Sequence, residues 1–120
     1  MDKQKKAFTI NVLRRGSYKW YGRWQAEKRS HLPELKKYYC EECGTICKKK
    51  DTQMDHIEPV IPLNKTTEDT PLDEIADRMY CSPEGFQRLC KPCHADKTAS
   101  EVGIRKEPRS KKRTKKKNNT

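Results

Sequence analysis

No stretch of this 120-residue chain approaches the roughly 18 consecutive apolar residues of a membrane span, and its polar start, MDKQKK, lacks the apolar core of a signal peptide. Both absences point to a protein that stays in a reducing cytoplasm. Apolar side chains are scarce throughout, at 32% of residues with a mean hydropathy of -1.22. That excludes a large hydrophobic core, so something besides apolar burial must help the fold close. Acidic residues are also in deficit, 17 against 28 Lys and Arg, for a net charge of +11 and a pI near 9.5. The favoured partner is therefore a polyanion. No internal repeat of fixed period is visible, which removes repeat architectures from consideration.

What the chain does have is cysteine. A reducing compartment keeps six thiols from forming a disulfide framework, so metal ligation is the leading explanation for them. Cys40 with Cys43 and Cys90 with Cys93 form two C-x-x-C pairs, a spacing that lets both thiolates of a pair reach one Zn²⁺ from a tight knuckle. Gly44 follows the first pair as such a turn requires. Cys47 and Cys81 fall outside the pairs and read as small apolar packing residues.

The segment YKWYGRWQAEKR has Trp20 and Trp24 one helical turn apart, with Arg23, Lys28 and Arg29 interleaved. It predicts a helix over 22–31 ended by Pro33, its tryptophans forming a core face and Arg23 available to DNA. A second helix is signalled at Thr70-Pro71-Leu72-Asp73, with Thr70 as N-cap, proline in the first turn, and Leu72, Ile75, Ala76 and Met79 as the buried stripe. A third begins at Lys91-Pro92-Cys93-His94 and is expected to stop at Gly103. Strand candidates lie at 52–57 and 86–89. From Arg105 to Thr120 the chain holds nine Lys and Arg against one Glu, a net +8 of the chain's +11. With Lys111, Lys112 and Arg113 at its centre, this stretch is expected to be a disordered phosphate-binding tail.

The stretch MDHIEP seats an aspartate and a histidine side by side on the first strand candidate. Adjacent strand residues face opposite ways, so Asp55 can ligate a cation while His56 faces a substrate. A hard divalent cation such as Mg²⁺, Mn²⁺ or Ni²⁺, held by Asp55 and by His94 of the closing helix, would offset charge developing on a phosphate. His56 would take a proton from water. Lys97, on the same helix face as His94, is expected to contact a phosphate.

The motifs CEECG, MDHIEP and LCKPCHADKT, spread over residues 40–100, resemble those of the zinc-bound HNH endonucleases. The resemblance implies a ββα-metal fold within an α+β domain and double-stranded DNA as substrate. It also implies Asp55 and His94 as ligands of the catalytic ion, and His56 as general base. Small HNH proteins of bacteriophages share the tryptophan-bearing basic segment, which would make the host cytoplasm the compartment and phage packaging proteins possible partners. One departure stands out: the motif's asparagine falls at Gly85. Bracing of the loop that carries His56 then passes to Asn64, Gln87 or water, or the site is weakened, and Gly85→Asn would restore the missing side chain. The organisation that follows is a basic aromatic helical segment (1–35), the zinc-stapled HNH domain (36–104) and the basic tail (105–120). The function expected is a metal-dependent DNA endonuclease or nickase, with a zinc-stabilised, non-catalytic nucleic-acid-binding module as the alternative.

Overall fold

The computed structural model describes residues 1–106. Lys111, Lys112 and Arg113 lie outside the described residues. Among those described are four α-helices and two small antiparallel sheets, a small α+β architecture. Helix α1 (Lys3–Gly16) starts at Asp2, whose carboxylate accepts from the Lys5 amide at 2.8 Å, and ends on Arg14 and Arg15, which suit the negative end of the helix. After a short 3-10 turn comes α2 (Tyr21–Arg29), then three short strands, β1 (His31–Leu32), β2 (Lys37–Tyr39) and β3 (Ile46–Cys47), paired in that order. Strand β4 (Thr52–His56), helix α3 (Leu72–Met79), strand β5 (Phe86–Cys90) and helix α4 (Lys91–Lys106) complete the order. Strands β4 and β5 pair antiparallel in the register Thr52 with Cys90 through His56 with Phe86. Both coincide closely with the strand segments expected from alternation.

Four expectations need correction. Trp24 is exposed rather than part of a core face, while Trp20 is half-buried, its ring 5.7 Å from Tyr80 and its Nε1 donating to the Cys81 carbonyl at 2.5 Å. The inner face of α2 is closed by the small residues Gly22 and Ala26 instead. Thr70 does not cap α3: its hydroxyl turns back to the Thr66 carbonyl at 2.8 Å, and Pro71 takes the cap position. Gly103 does not stop α4, which continues to Lys106, because one glycine in a helix costs only about 1 kcal/mol relative to alanine. Arg105, expected in a free tail, is helical and donates to the carbonyls of Ile61 and Pro62.

Two small cores share the stabilisation. Ile10 of α1 meets Val60, Ile75 and Met79, with Leu13, Ile61, Leu72 and Tyr80 around them. The second core consists of Cys40, Leu89 and Cys90, flanked by Cys47 and Cys93. Between α2 and the β4–β5 sheet lies Arg88, only 2% exposed. Its guanidinium donates to Ser30 Oγ at 2.8 Å and Thr52 Oγ1 at 2.7 Å, covers the Tyr38 ring at 4.1 Å, and stands 3.9 Å from a Glu27 carboxylate oxygen. Burial pulls its pKa below the ordinary arginine value, and Glu27 acts against that. Removing the guanidinium would take a charged donor from Ser30 and Thr52 and leave a cavity between α2 and the sheet, while Glu27 keeps its pair with Arg23. Arg88→Ala is therefore expected to lower stability by about 3 kcal/mol, read as a fall in the urea midpoint.

Candidate metal centre and cleft

The first C-x-x-C pair sits in the turn between β2 and β3. There the Gly44 amide donates to the Cys40 carbonyl at 2.8 Å and the Cys40 amide to the Thr45 carbonyl at 2.9 Å. Gly44 adopts φ +82°, a conformation that favours a residue without Cβ. The second pair spans the junction of β5 and α4, with Cys90 ending the strand and Cys93 in the first helical turn. Glu41 links the two knuckles. Its amide donates to the Arg88 carbonyl at 2.8 Å, its carboxylate accepts from the Arg88 amide at 2.7 Å, and Arg29 grips the same carboxylate through Nε at 2.6 Å and Nη2 at 3.0 Å.

The result is that the sulfurs of Cys40, Cys43, Cys90 and Cys93 all lie within 4.8 Å of one another, with Cys43 and Cys90 at 3.7 Å. Thiolates about 2.3 Å from a tetrahedral zinc stand roughly 3.8 Å apart, so the set suits a structural ion such as Zn²⁺. Charge makes the same point. Hydrogen bonding with Thr45 lowers the Cys43 thiol to about 6, while its neighbour Cys93 is driven well above the ordinary thiol value, first by its interaction with Cys90. Four crowded sulfurs cannot all ionise unless a cation sits among them. Cys47 and Cys81 stay outside the cluster, as their sequence context implied.

Across the sheet, Asp55 and His94 come together, with Oδ1 and Nε2 4.0 Å apart. Two ligands each about 2.1 Å from one ion can be separated by at most about 4.2 Å, so the pair is within bridging reach. Gln87 donates to Asp55 Oδ2 at 3.3 Å. Lys97, expected to contact a phosphate, has its ammonium 2.9 Å from Asp55 Oδ2, 2.6 Å from Glu101 and 3.1 Å from the His56 carbonyl. Burial lowers its pKa, but the bonds to Glu101 and Asp55 outweigh that and leave it raised.

His56 is held differently. Its Nε2 lies 2.8 Å from the Met79 carbonyl, and its ring packs 4.7 Å from Phe86. Met79 ends α3, where a carbonyl has no partner within the helix, so the ring satisfies an otherwise orphaned acceptor. A carbonyl only accepts, so Nε2 carries the hydrogen and Nδ1 keeps its lone pair. Burial lowers the pKa of His56, outweighing the Met79 bond and the charge of Asp55, while Arg23 and Arg14 add to the lowering. The imidazole is thus neutral near pH 7. Asp55, His56, Lys97 and Glu101 line one cleft of about 220 Å³, and Arg14 and Arg105 are among its other lining residues. Neither arginine carried a sequence signal for this site, because α1 and the last turn of α4 are brought there only by the tertiary fold. Arg23, expected to be available to DNA, is ion-paired with Glu27 at 3.2 Å and covers the Tyr18 ring.

The vacancy of side chain at Gly85 also has a local cause. A Cβ there would stand 2.5 Å from Cys81 Sγ and 3.1 Å from Cys81 Cβ. The loop after His56 is tied through the backbone, the Ile57 amide donating to the Gly85 carbonyl at 2.9 Å. Gln87, named above as a substitute for the asparagine, reaches the site through Asp55. Gly85→Asn is therefore expected to lower stability by about 1–3 kcal/mol, although it restores the side chain that the resemblance calls for. Cys81→Ala in the same chain should recover part of the loss in urea denaturation, since it removes the nearer atom.

No family model, curated protein or solved structure matches the chain.

Proposed function

We propose that this protein is a metal-dependent DNA endonuclease or nickase of the HNH type, with β4, β5 and α4 as its ββα-metal unit and a structural zinc on the four cysteines. The observation that carries this reading is the approach of Asp55 Oδ1 to His94 Nε2 at 4.0 Å, with His56 lining the same cleft as Asp55 and engaged through Nε2 by the Met79 carbonyl. A surface turn needs neither a locked tautomer nor a carboxylate facing an imidazole. Asp55 and His94 would hold a divalent cation such as Mg²⁺, Mn²⁺ or Ni²⁺, which when bound supplies stabilisation of charge on the phosphate and leaving oxygen. His56 Nδ1 takes the proton of the attacking water as its oxygen bonds to phosphorus and the bond to the leaving sugar oxygen breaks. Gln87 orients the Asp55 carboxylate, and the positive charges of Arg14 and Arg105 favour the polyanionic strand.

A second reading, a zinc-stabilised binding module without catalysis, is favoured by Lys97, whose ammonium already neutralises Asp55. Plasmid nicking separates the two. Zinc-loaded protein incubated with supercoiled DNA and Mg²⁺, Mn²⁺ or Ni²⁺ in turn is expected to give nicked or linear product, and to give none without added metal. Absence of product with every metal would leave the module reading.

A further inference from the structure

Helix α2 and the turn before it carry large side chains on the outside. Tyr18, Tyr21 and Trp24 are 66%, 60% and 51% exposed. None belongs to either core, and the half-buried place next to Tyr80 is taken by Trp20. The three rings are nevertheless ordered. Tyr21 and Trp24 stack with centroids 5.8 Å apart and planes 28° from parallel, and Gln25 Nε2 donates to the Tyr21 hydroxyl at 3.0 Å. Cations flank them, the Arg23 guanidinium 4.7 Å from the Tyr18 ring centre and the Lys28 ammonium 4.4 Å from that of Trp24. Aromatic surface left in water contributes little to folding, and adjacent exposed rings mark an interaction site more often than a structural one.

We infer that this face is a stacking platform for unpaired nucleotides of a nucleic acid. Base faces stack on aromatic side chains whatever their sequence, and Lys28 beside Trp24 matches a phosphate that follows a base, whereas Arg23 is held by Glu27. Duplex bases are already stacked on one another and offer no face to such rings, so a single strand is the occupant that uses them. A protein partner would have to cover the Lys28 ammonium along with the rings, a charge that a polyanion neutralises. The platform also adjoins the strand that bears Asp55 and His56, since Arg23 lines a groove with Thr52, Gln53 and Met54 of β4. This inference goes beyond the proposed cleavage and stands whether or not the protein cuts DNA.

The test uses the full zinc-loaded chain without other divalent metal. Polarisation of a fluorescein-labelled oligothymidylate is compared with that of a labelled hairpin duplex. Tyr21→Ala with Trp24→Ala is expected to weaken oligothymidylate binding by about tenfold or more and to leave duplex binding unchanged. Tyr21→Phe with Trp24→Phe should retain most of the affinity. Oligothymidylate should quench the tryptophan emission of the wild type, and Trp24→Phe should abolish that quench because Trp20 is packed against Tyr80. The inference is overturned if the double alanine variant binds oligothymidylate like the wild type, or if both probes weaken equally. Loss in the phenylalanine variant as large as in the alanine one, or an unquenched wild type, overturns it too.

Discussion

Serine in place of any one of Cys40, Cys43, Cys90 or Cys93 is expected to unfold the domain or to lower its melting temperature sharply, and a strong zinc chelator should do the same to the unaltered protein. The reason lies in how little else holds the chain. One core is four buried residues between α1, α3 and the loop after β4, and the other consists of the cysteines themselves with Leu89. Net stabilities of small domains are about 5–15 kcal/mol, and a structural zinc contributes about 10–16 kcal/mol in small zinc-stapled folds. Loss of one thiolate is therefore comparable to the whole stability. The cluster also ties the β2–β3 turn to the junction of β5 and α4, alongside the bonds between Glu41 and the Arg88 main chain. Far-ultraviolet circular dichroism with metal analysis checks the prediction. Protein that holds well under one zinc per chain and stays folded would overturn it. Cys47→Ser and Cys81→Ser are the contrasting controls, because neither sulfur lies in the cluster.

The paired spacing made this centre legible from the sequence, and alternation made β4 and β5 legible, since both signals are local. The stripe of Ile75 and Met79 was legible for the same reason. What escaped depends on distant partners. Trp20 and Trp24 have the spacing of a core face, but Gly22 and Ala26 bring the α2 backbone close to the fold, leaving room for only one indole, next to Tyr80. Helix α1 offered two competing stripes at helical spacing, Phe8 with Val12 and Ile10 with Leu13, and only the second turns inward, which the sequence does not mark. At the cleft, the adjacency of Asp55 and His56 and the approach of His94 could be anticipated from their strand and helix positions. The Met79 carbonyl that fixes the His56 tautomer could not be, because a main-chain acceptor leaves no mark on the sequence. Lys97 lay on the expected helix face, yet Glu101 one turn further on and Asp55 across the sheet draw its ammonium inward.

Three substitutions in the cleft are expected to behave differently if the proposed endonuclease reading is correct. His56→Ala removes Nδ1, the proton acceptor, and should lower the cleavage rate by at least about 10²-fold, while zinc content and DNA affinity stay nearly intact. Its ring satisfies the Met79 carbonyl and packs on Phe86, so a moderate loss of stability should accompany the kinetic one. His56→Gln is the useful companion, because its amide can donate to the same carbonyl yet cannot act as a base. It should recover stability without recovering rate. Asp55→Ala and His94→Ala each take a ligand from a two-residue site, so their remaining activity should require a higher concentration of divalent metal, whereas His56→Ala should leave that requirement where it was. Asp55→Ala also strips Lys97 and Gln87 of a shared acceptor, and Asp55→Asn keeps an oxygen there with less charge, which separates the loss of a ligand from the loss of an ion pair. The measurement is the nicking rate against metal concentration for each variant, with contaminating nuclease excluded by a parallel mock purification. Equal rates for the wild type and His56→Ala would mean that the tautomer lock serves only the end of α3, and the cleft would then be a structural junction in a binding module.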